Sequence, residues 1–153
     1  MFFQGDDVFW TNASGIWSTA KDGSSKPKQV VDSPSVAYGR VGVGPRGVYW
    51  VDAATLQLLS CPLDGCGEAE PQVIVSSGAD KGTPRADESG VFWLEGQNRE
   101  VHYCPFTGCS EPLVLTVGGA SGAFAIDSRY LYWVHRDDSG FGQNIVRRLK
   151  PAP

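Results

Sequence analysis

Val8-Phe9-Trp10, Val48-Tyr49-Trp50, Val91-Phe92-Trp93 and Leu131-Tyr132-Trp133 are four copies of one aromatic signature, and their tryptophans lie 40, 43 and 40 residues apart. A period of that size corresponds to one supersecondary unit per repeat. Each copy carries short runs rich in Val, Ile and aromatic residues, side chains suited to a pleated, packed surface. The 19 glycines and 10 prolines of the 153-residue chain fall between these runs and punctuate them as turns. No long window shows a sustained helical apolar period, so no long helix is expected. The reading is all-β: a β-propeller segment of about four blades.

Aligned on their tryptophans, the copies give a strand plan. The third copy supplies strands at 83–87, 91–95, 100–104 and 112–117, and the second at 37–43, 48–52, 56–61 and 72–75. The first copy opens on its second strand, Val8 to Thr11; the last supplies 123–126, 130–135 and 145–150. This predicts 14 strands in one segment spanning 1–153, with blades at 5–33, 36–78, 80–118 and 120–150. The first blade would lack its innermost strand and the last its outermost. Apolar runs such as Val48 to Val51 fit sheets covered on both faces. Terminal blades would expose apolar surface and strand edges. The expectations are therefore an open segment, a ring closed by self-association into a homo-oligomer, or a truncated fragment of a larger propeller.

A net charge of −4 with interspersed signs gives no electrostatic footprint for nucleic acid or an anionic membrane. Arg147, Arg148 and Lys150 read as a solvated strand end. No apolar run reaches the roughly 18 to 20 residues of a membrane span, and the N-terminal residues lack the pattern of a signal peptide.

The cysteines fall in two C-P-x-x-G-C turns, Cys61 to Cys66 and Cys104 to Cys109. A shared zinc site needs every sulfur about 2.3 Å from one metal, which equivalent points on sheets stacked about 10 Å apart do not favour. In the first copy Thr19 and Ser24 align with the two cysteines, so both are lost together. Two local disulfides are expected, with free thiols as the alternative. Such bridges imply an extracytoplasmic setting: periplasm, cell surface or medium.

Gly42-Val43-Gly44-Pro45-Arg46-Gly47 matches G-x-G-x-x-G, but a strand follows where a nucleotide site needs a helix. It reads as a hairpin turn. Asn12-Ala13-Ser14 is formally a glycosylation sequon. His102 and His135 fit packing or surface roles, and no G-x-S-x-G elbow exists. Asn12, Asp52, Glu95 and His135 follow the aromatic pairs and form a candidate polar ring on one face. Hydrogen bonding within turns is one reading. A ligand or cation site, with calcium the candidate ion, is the other, and Asp137 and Asp138 on the long loop from Arg136 to Asn144 could join it.

At Phe9-Trp10-Thr11-Asn12, Tyr49-Trp50-Val51-Asp52, Phe92-Trp93-Leu94-Glu95 and Tyr132-Trp133-Val134-His135 the chain resembles YWTD-type β-propellers, part of the wider six-bladed, TolB-like group. The group occurs in low-density-lipoprotein-receptor-like ectodomains and bacterial secreted proteins. The cysteine turn looks like that of extracytoplasmic repeat proteins of myxobacteria and relatives. No copy keeps the full four-residue motif, and four copies fall short of six blades. The resemblance implies a fold rather than an activity. The expected role is a non-enzymatic binding or scaffold module for a protein or small-molecule ligand, without a cofactor; a propeller-type lyase or hydrolase is the alternative.

Overall fold

Strand formation follows the repeat. The computed structural model describes residues 1–151 apart from 77–79, 98, 107–108, 117–119 and 137–142; at 37–39, 120–122, 136 and 143 the backbone alone is described. Among the described residues fifteen strands form four antiparallel sheets, each following chain order. Blade 1 comprises β1 (Phe2–Gln4), β2 (Asp7–Asn12), β3 (Gly15–Ala20) and β4 (Lys28–Asp32). Blade 2 comprises β5 (Val36–Gly44), β6 (Gly47–Asp52), β7 (Leu58–Cys61) and β8 (Gln72–Val75). Blade 3 holds β9 (Arg85–Ala86), β10 (Gly90–Glu95), β11 (Glu100–Pro105) and β12 (Leu113–Val114), and blade 4 holds β13 (Ala120–Ile126), β14 (Tyr130–Arg136) and β15 (Gln143–Leu149). The four sheets do not close into a ring.

The expectation of 14 strands, with blade 1 lacking its first, is corrected. Phe2–Gln4 pairs with β2, Phe2 opposite Phe9 and Gln4 opposite Asp7. Gly5, at a φ of 54°, turns the chain between them. Phe2 packs on the core while Phe3 points away, which is the alternation of a strand compressed into three residues.

Alternation also explains the aromatic signature. Neighbouring residues on a strand leave on opposite faces, so each pair is a wedge driven both ways. Phe9 and Ile16 of blade 1 share one core with Val41, Val48 and Trp50 of blade 2. Tyr49 and Leu58 of blade 2 meet Val91 and Trp93 of blade 3. Phe92 and Tyr103 of blade 3 meet Phe124 and Leu131 of blade 4, with Trp133 half-buried against them. The tryptophans of blades 2 to 4 therefore pack back on the preceding blade, and the aromatic neighbours Phe9, Tyr49 and Phe92 of blades 1 to 3 pack forward on the next.

The outer faces show the same wedge without a counterpart in the chain. Trp10 lies opposite Trp17 on the outer side of blade 1, beside Phe3, 63% exposed. On blade 4, Tyr130, Tyr132 and Val134 lie opposite Leu149, Arg147 and Ile145, and Ile145 is 80% exposed.

First strands approach one another: β1 touches β5, and β5 touches β9. A Cβ on Gly42 would sit 2.1 Å from the Pro84 carbonyl oxygen, and one on Gly44 2.7 Å from the Ala86 Cβ. The glycines of the G-x-G stretch let two blades close, and the stretch ends in the tight β5–β6 hairpin, Gly44 opposite Gly47.

Both cysteine turns are local disulfides. Cys61–Cys66 has a Cα–Cα separation of 5.1 Å and Cys104–Cys109 one of 5.5 Å. By the loop-entropy relation each contributes about 2 kcal/mol. Thr19 occupies the register position of Cys61 and Cys104, opposite the valine that opens the aromatic triplet. There a hydroxyl clasp replaces the bridge: Thr19 Oγ1 donates to the Ser25 carbonyl at 2.9 Å, and the Ala20 amide donates to Ser25 Oγ at 2.9 Å. The partner is Ser25, one residue beyond the alignment position Ser24.

Candidate functional site

Asn12, Asp52 and Glu95 end the second strands of blades 1 to 3, where the chain must turn. Asn12 Oδ1 accepts from the Ser14 amide at 2.9 Å, Ser14 Oγ at 2.8 Å and Trp17 Nε1 at 3.2 Å. Asp52 is almost buried. Its Oδ1 accepts from the Ala54 and Thr55 amides at 3.0 and 2.8 Å and from Thr55 Oγ1 at 2.9 Å, while Oδ2 accepts from Ser35 Oγ. Burial raises the Asp52 pKa, but the hydrogen bonds from Ser35, Thr55 and Ala54 outweigh it and hold the carboxyl below its ordinary value. Oδ1 is thus committed to closing the blade 2 hairpin, and Oδ2 to the link that precedes β5.

Glu95 does something different. Its Oε2 accepts from Trp93 Nε1 at 2.8 Å, and its Oε1 lies 3.8 Å from Lys81 Nζ. Lys81 is fully buried in the link between blades 2 and 3, and its Nζ donates to the Leu56 carbonyl at 3.0 Å. The link backbone continues the sheet beyond β10: Lys81 bridges Glu95, the Gly82 amide donates to the Leu94 carbonyl at 2.7 Å, and the Gly96 amide donates to the Asp80 carbonyl at 3.0 Å. His102 stacks on Trp93 with ring centroids 5.8 Å apart, and its Nδ1 lies 3.6 Å from Glu95 Oε2. His102 is therefore a packing residue, as the sequence suggested.

His135 lies on β14 opposite Ala120 and Asn144. Asp137 and Asp138 lie outside the described residues. Among the described residues no hydrogen bond or ion pair joins any two of Asn12, Asp52, Glu95 and His135. Nor does any group of three or more His, Cys, Asp or Glu side chains assemble there as a metal shell.

A cleft of about 940 Å³ lies beside this network. Its walls come from β5 through Arg40, from the link and first strand of blade 3 through Asp80 to Arg85, and from β13 through Phe124; the β10–β11 hairpin closes it with Gly96, Gln97 and Arg99. Arg40 holds the Asp80 carboxylate two-pronged, Nη2 lying 3.0 Å from Oδ2 and Nη1 bonding Oδ1. The Arg85 guanidinium lies 5.7 Å from the centre of the Phe124 ring, within cation–π range. Arg99 has a φ of 49°, and Leu56, its register equivalent in the blade 2 hairpin, has one of 57°. The left-handed residue belongs to this hairpin type in both blades. Arg40, Lys81, Arg85 and Arg99 of this cleft were not among the candidate residues read from the sequence. Their one sequence signal is that Arg40, Lys81 and Arg85 fall in the first strands and the link of blades 2 and 3, with Arg99 added from the β10–β11 hairpin.

No family model matches the chain, and no curated protein matches it. Among solved structures it is similar to a chain of the nidogen/laminin complex, with a TM-score of 0.60 and 18% identity over 94% of this chain. The match covers 60% of that chain, so the present sequence spans under two thirds of its neighbour's length. At that identity the likeness establishes the fold: an all-β, YWTD-like β-propeller architecture.

Proposed function

We propose that the chain is a non-enzymatic extracytoplasmic binding or scaffold module whose ligand enters the cleft between the first strands of blades 2, 3 and 4. The observation that carries this is the cleft itself: a concave, polar space on the loop face, walled by three successive blades. Phe9 of blade 1 and the aromatic pairs of blades 2 and 3 are engaged between blades, so recognition falls to the polar groups of links and hairpins. Insertions and links are where repeat proteins carry recognition. Two short-range disulfides support an oxidising compartment. The structural neighbour, a chain of a complex of nidogen with laminin, supports the propeller as a platform for partners.

Amide NMR of the whole chain tests this with four probes: a neutral oligosaccharide, glutarate, hexalysine and hexaglutamate. At least one should move the amides of Gly82, Thr83, Arg85, Gly96, Gln97 and Arg99 together and be recovered chemically unchanged. Conversion of a bound probe, or four probes that leave those amides in place, would reject the module reading.

A further inference from the structure

We infer that the cleft recognises carboxylates, and that its ligand is an acidic peptide segment. The inference rests on the cleft being the ligand site, and adds the chemistry of what enters. The chain as a whole is acidic, with 17 Asp and Glu against 13 Lys and Arg. The cleft reverses that balance: its lining holds Arg40, Lys81, Arg85 and Arg99 against the single acid Asp80. Lys81 lies beneath the surface, bonded to the Leu56 carbonyl and close to Glu95, so the charge offered to a ligand is that of the arginines.

The cleft already displays the contact it would make. Arg40 grips the Asp80 carboxylate with two nitrogens on two oxygens, the fork geometry that distinguishes guanidinium from ammonium recognition. Asp80 is 64% exposed, and the pair stands at the cleft wall rather than in the core. Among the described residues neither Arg85 nor Arg99 has a carboxylate partner. The Phe124 ring lies against Arg85, and the hairpin hydrogen bond from the Arg99 amide to the Gly96 carbonyl, 3.2 Å, fixes the Arg99 backbone at the rim. Two unpaired guanidinium forks beside a formed one suit successive carboxylates along an extended acidic chain. Converging positive charge in a walled cleft also focuses the field on such a ligand.

Calorimetric titration of the full chain with hexaglutamate tests this, with hexalysine and inorganic phosphate as comparison probes. Hexaglutamate should bind at low salt and weaken at about 0.5 M salt, where screening shortens to a few ångströms. Arg85→Gln and Arg99→Gln should each weaken binding about two- to fivefold, and the double variant about tenfold, in line with exposed charge pairs. An unchanged thermal midpoint in the variants separates lost recognition from lost folding. Binding indifferent to both substitutions, preference for hexalysine, or phosphate outcompeting hexaglutamate would overturn the carboxylate assignment. If hexaglutamate fails while the neutral oligosaccharide still moves the cleft amides, the inference falls and the module reading stands; if no probe moves them, both fall.

Discussion

Replacing Trp50 and Trp10 by alanine, one at a time, puts the two-sided wedge on trial. The two residues occupy the same repeat position, but Trp50 is 1% exposed in the core between blades 1 and 2, whereas Trp10 lies on the outer face beside Trp17 and the exposed Phe3. A buried aromatic removes roughly 150 to 250 Å² from water. At about 25 cal/mol per Å², truncation of Trp50 costs about 4 kcal/mol, within the range of about 3 to 5 kcal/mol for large-to-small core changes. The buried Trp50 Nε1 has no hydrogen-bond partner among the described residues, so no lost bond adds to that figure. Trp10 keeps much of its water contact, and its truncation should cost about 1 kcal/mol. Urea unfolding followed by circular dichroism at low protein concentration measures both without relying on indole fluorescence. Equal costs would refute the assignment of tryptophans to preceding blades. A Trp10→Ala cost that grew with protein concentration would place that face in a contact between copies.

Two further outcomes follow from close packing and from burial. Gly42→Ala should lower stability by more than the roughly 1 to 3 kcal/mol of ordinary overpacking, because its Cβ would lie 2.1 Å from backbone oxygen that cannot rotate away; a thermal midpoint equal to the parent's would contradict the β5–β9 contact. Burial pushes the Tyr49 phenol up to about 12, with Arg46 lowering it and Glu88 raising it to lesser degrees. A pKa raised in the folded state gives stability that is complete below the unfolded value near 10 and is lost as pH rises toward 12. Alkaline unfolding between those limits should be blunted in Tyr49→Phe, and a pH profile identical to the parent's would sink the assignment.

Much of the fold was legible because the repeat is written in large, buried side chains. An aromatic pair on a strand has to serve two faces, and four pairs at one period announce four sheets. The disulfides were legible for a related reason: a pair of cysteines five residues apart can close only on itself if its equivalents sit a blade away. What escaped notice was short or relational. β1 has three residues, too few for alternation to register as a pattern. The Thr19 clasp uses Ser25 instead of the aligned Ser24, a one-residue slip that a shared Asp-Gly turn does not reveal. The cleft is harder still, since Arg40, Arg85 and Arg99 come from three elements and converge only when blades pack.

The polar ring shows why equivalence in a repeat does not carry over to chemistry. Asp52 and Glu95 hold the same place after the tryptophan, and they differ by one methylene. The shorter acid bends back to cap its own hairpin through Ala54 and Thr55, leaving Trp50 Nε1 unpartnered. The longer acid reaches Trp93 Nε1 and the neighbourhood of Lys81, so it fastens the second strand to the preceding link through a lysine, where Asp52 does so through the Ser35 hydroxyl. Among the described residues the blade 3 hairpin is tied by backbone hydrogen bonds, the Arg99 amide bonding the Gly96 carbonyl and the Gly96 amide the Asp80 carbonyl of the link. That seats Asp80, with Arg40 upon it, beside Arg99. Shortening Glu95 to aspartate should therefore loosen the link and disperse the guanidinium cluster, while lengthening Asp52 to glutamate should give Trp50 the partner that it lacks.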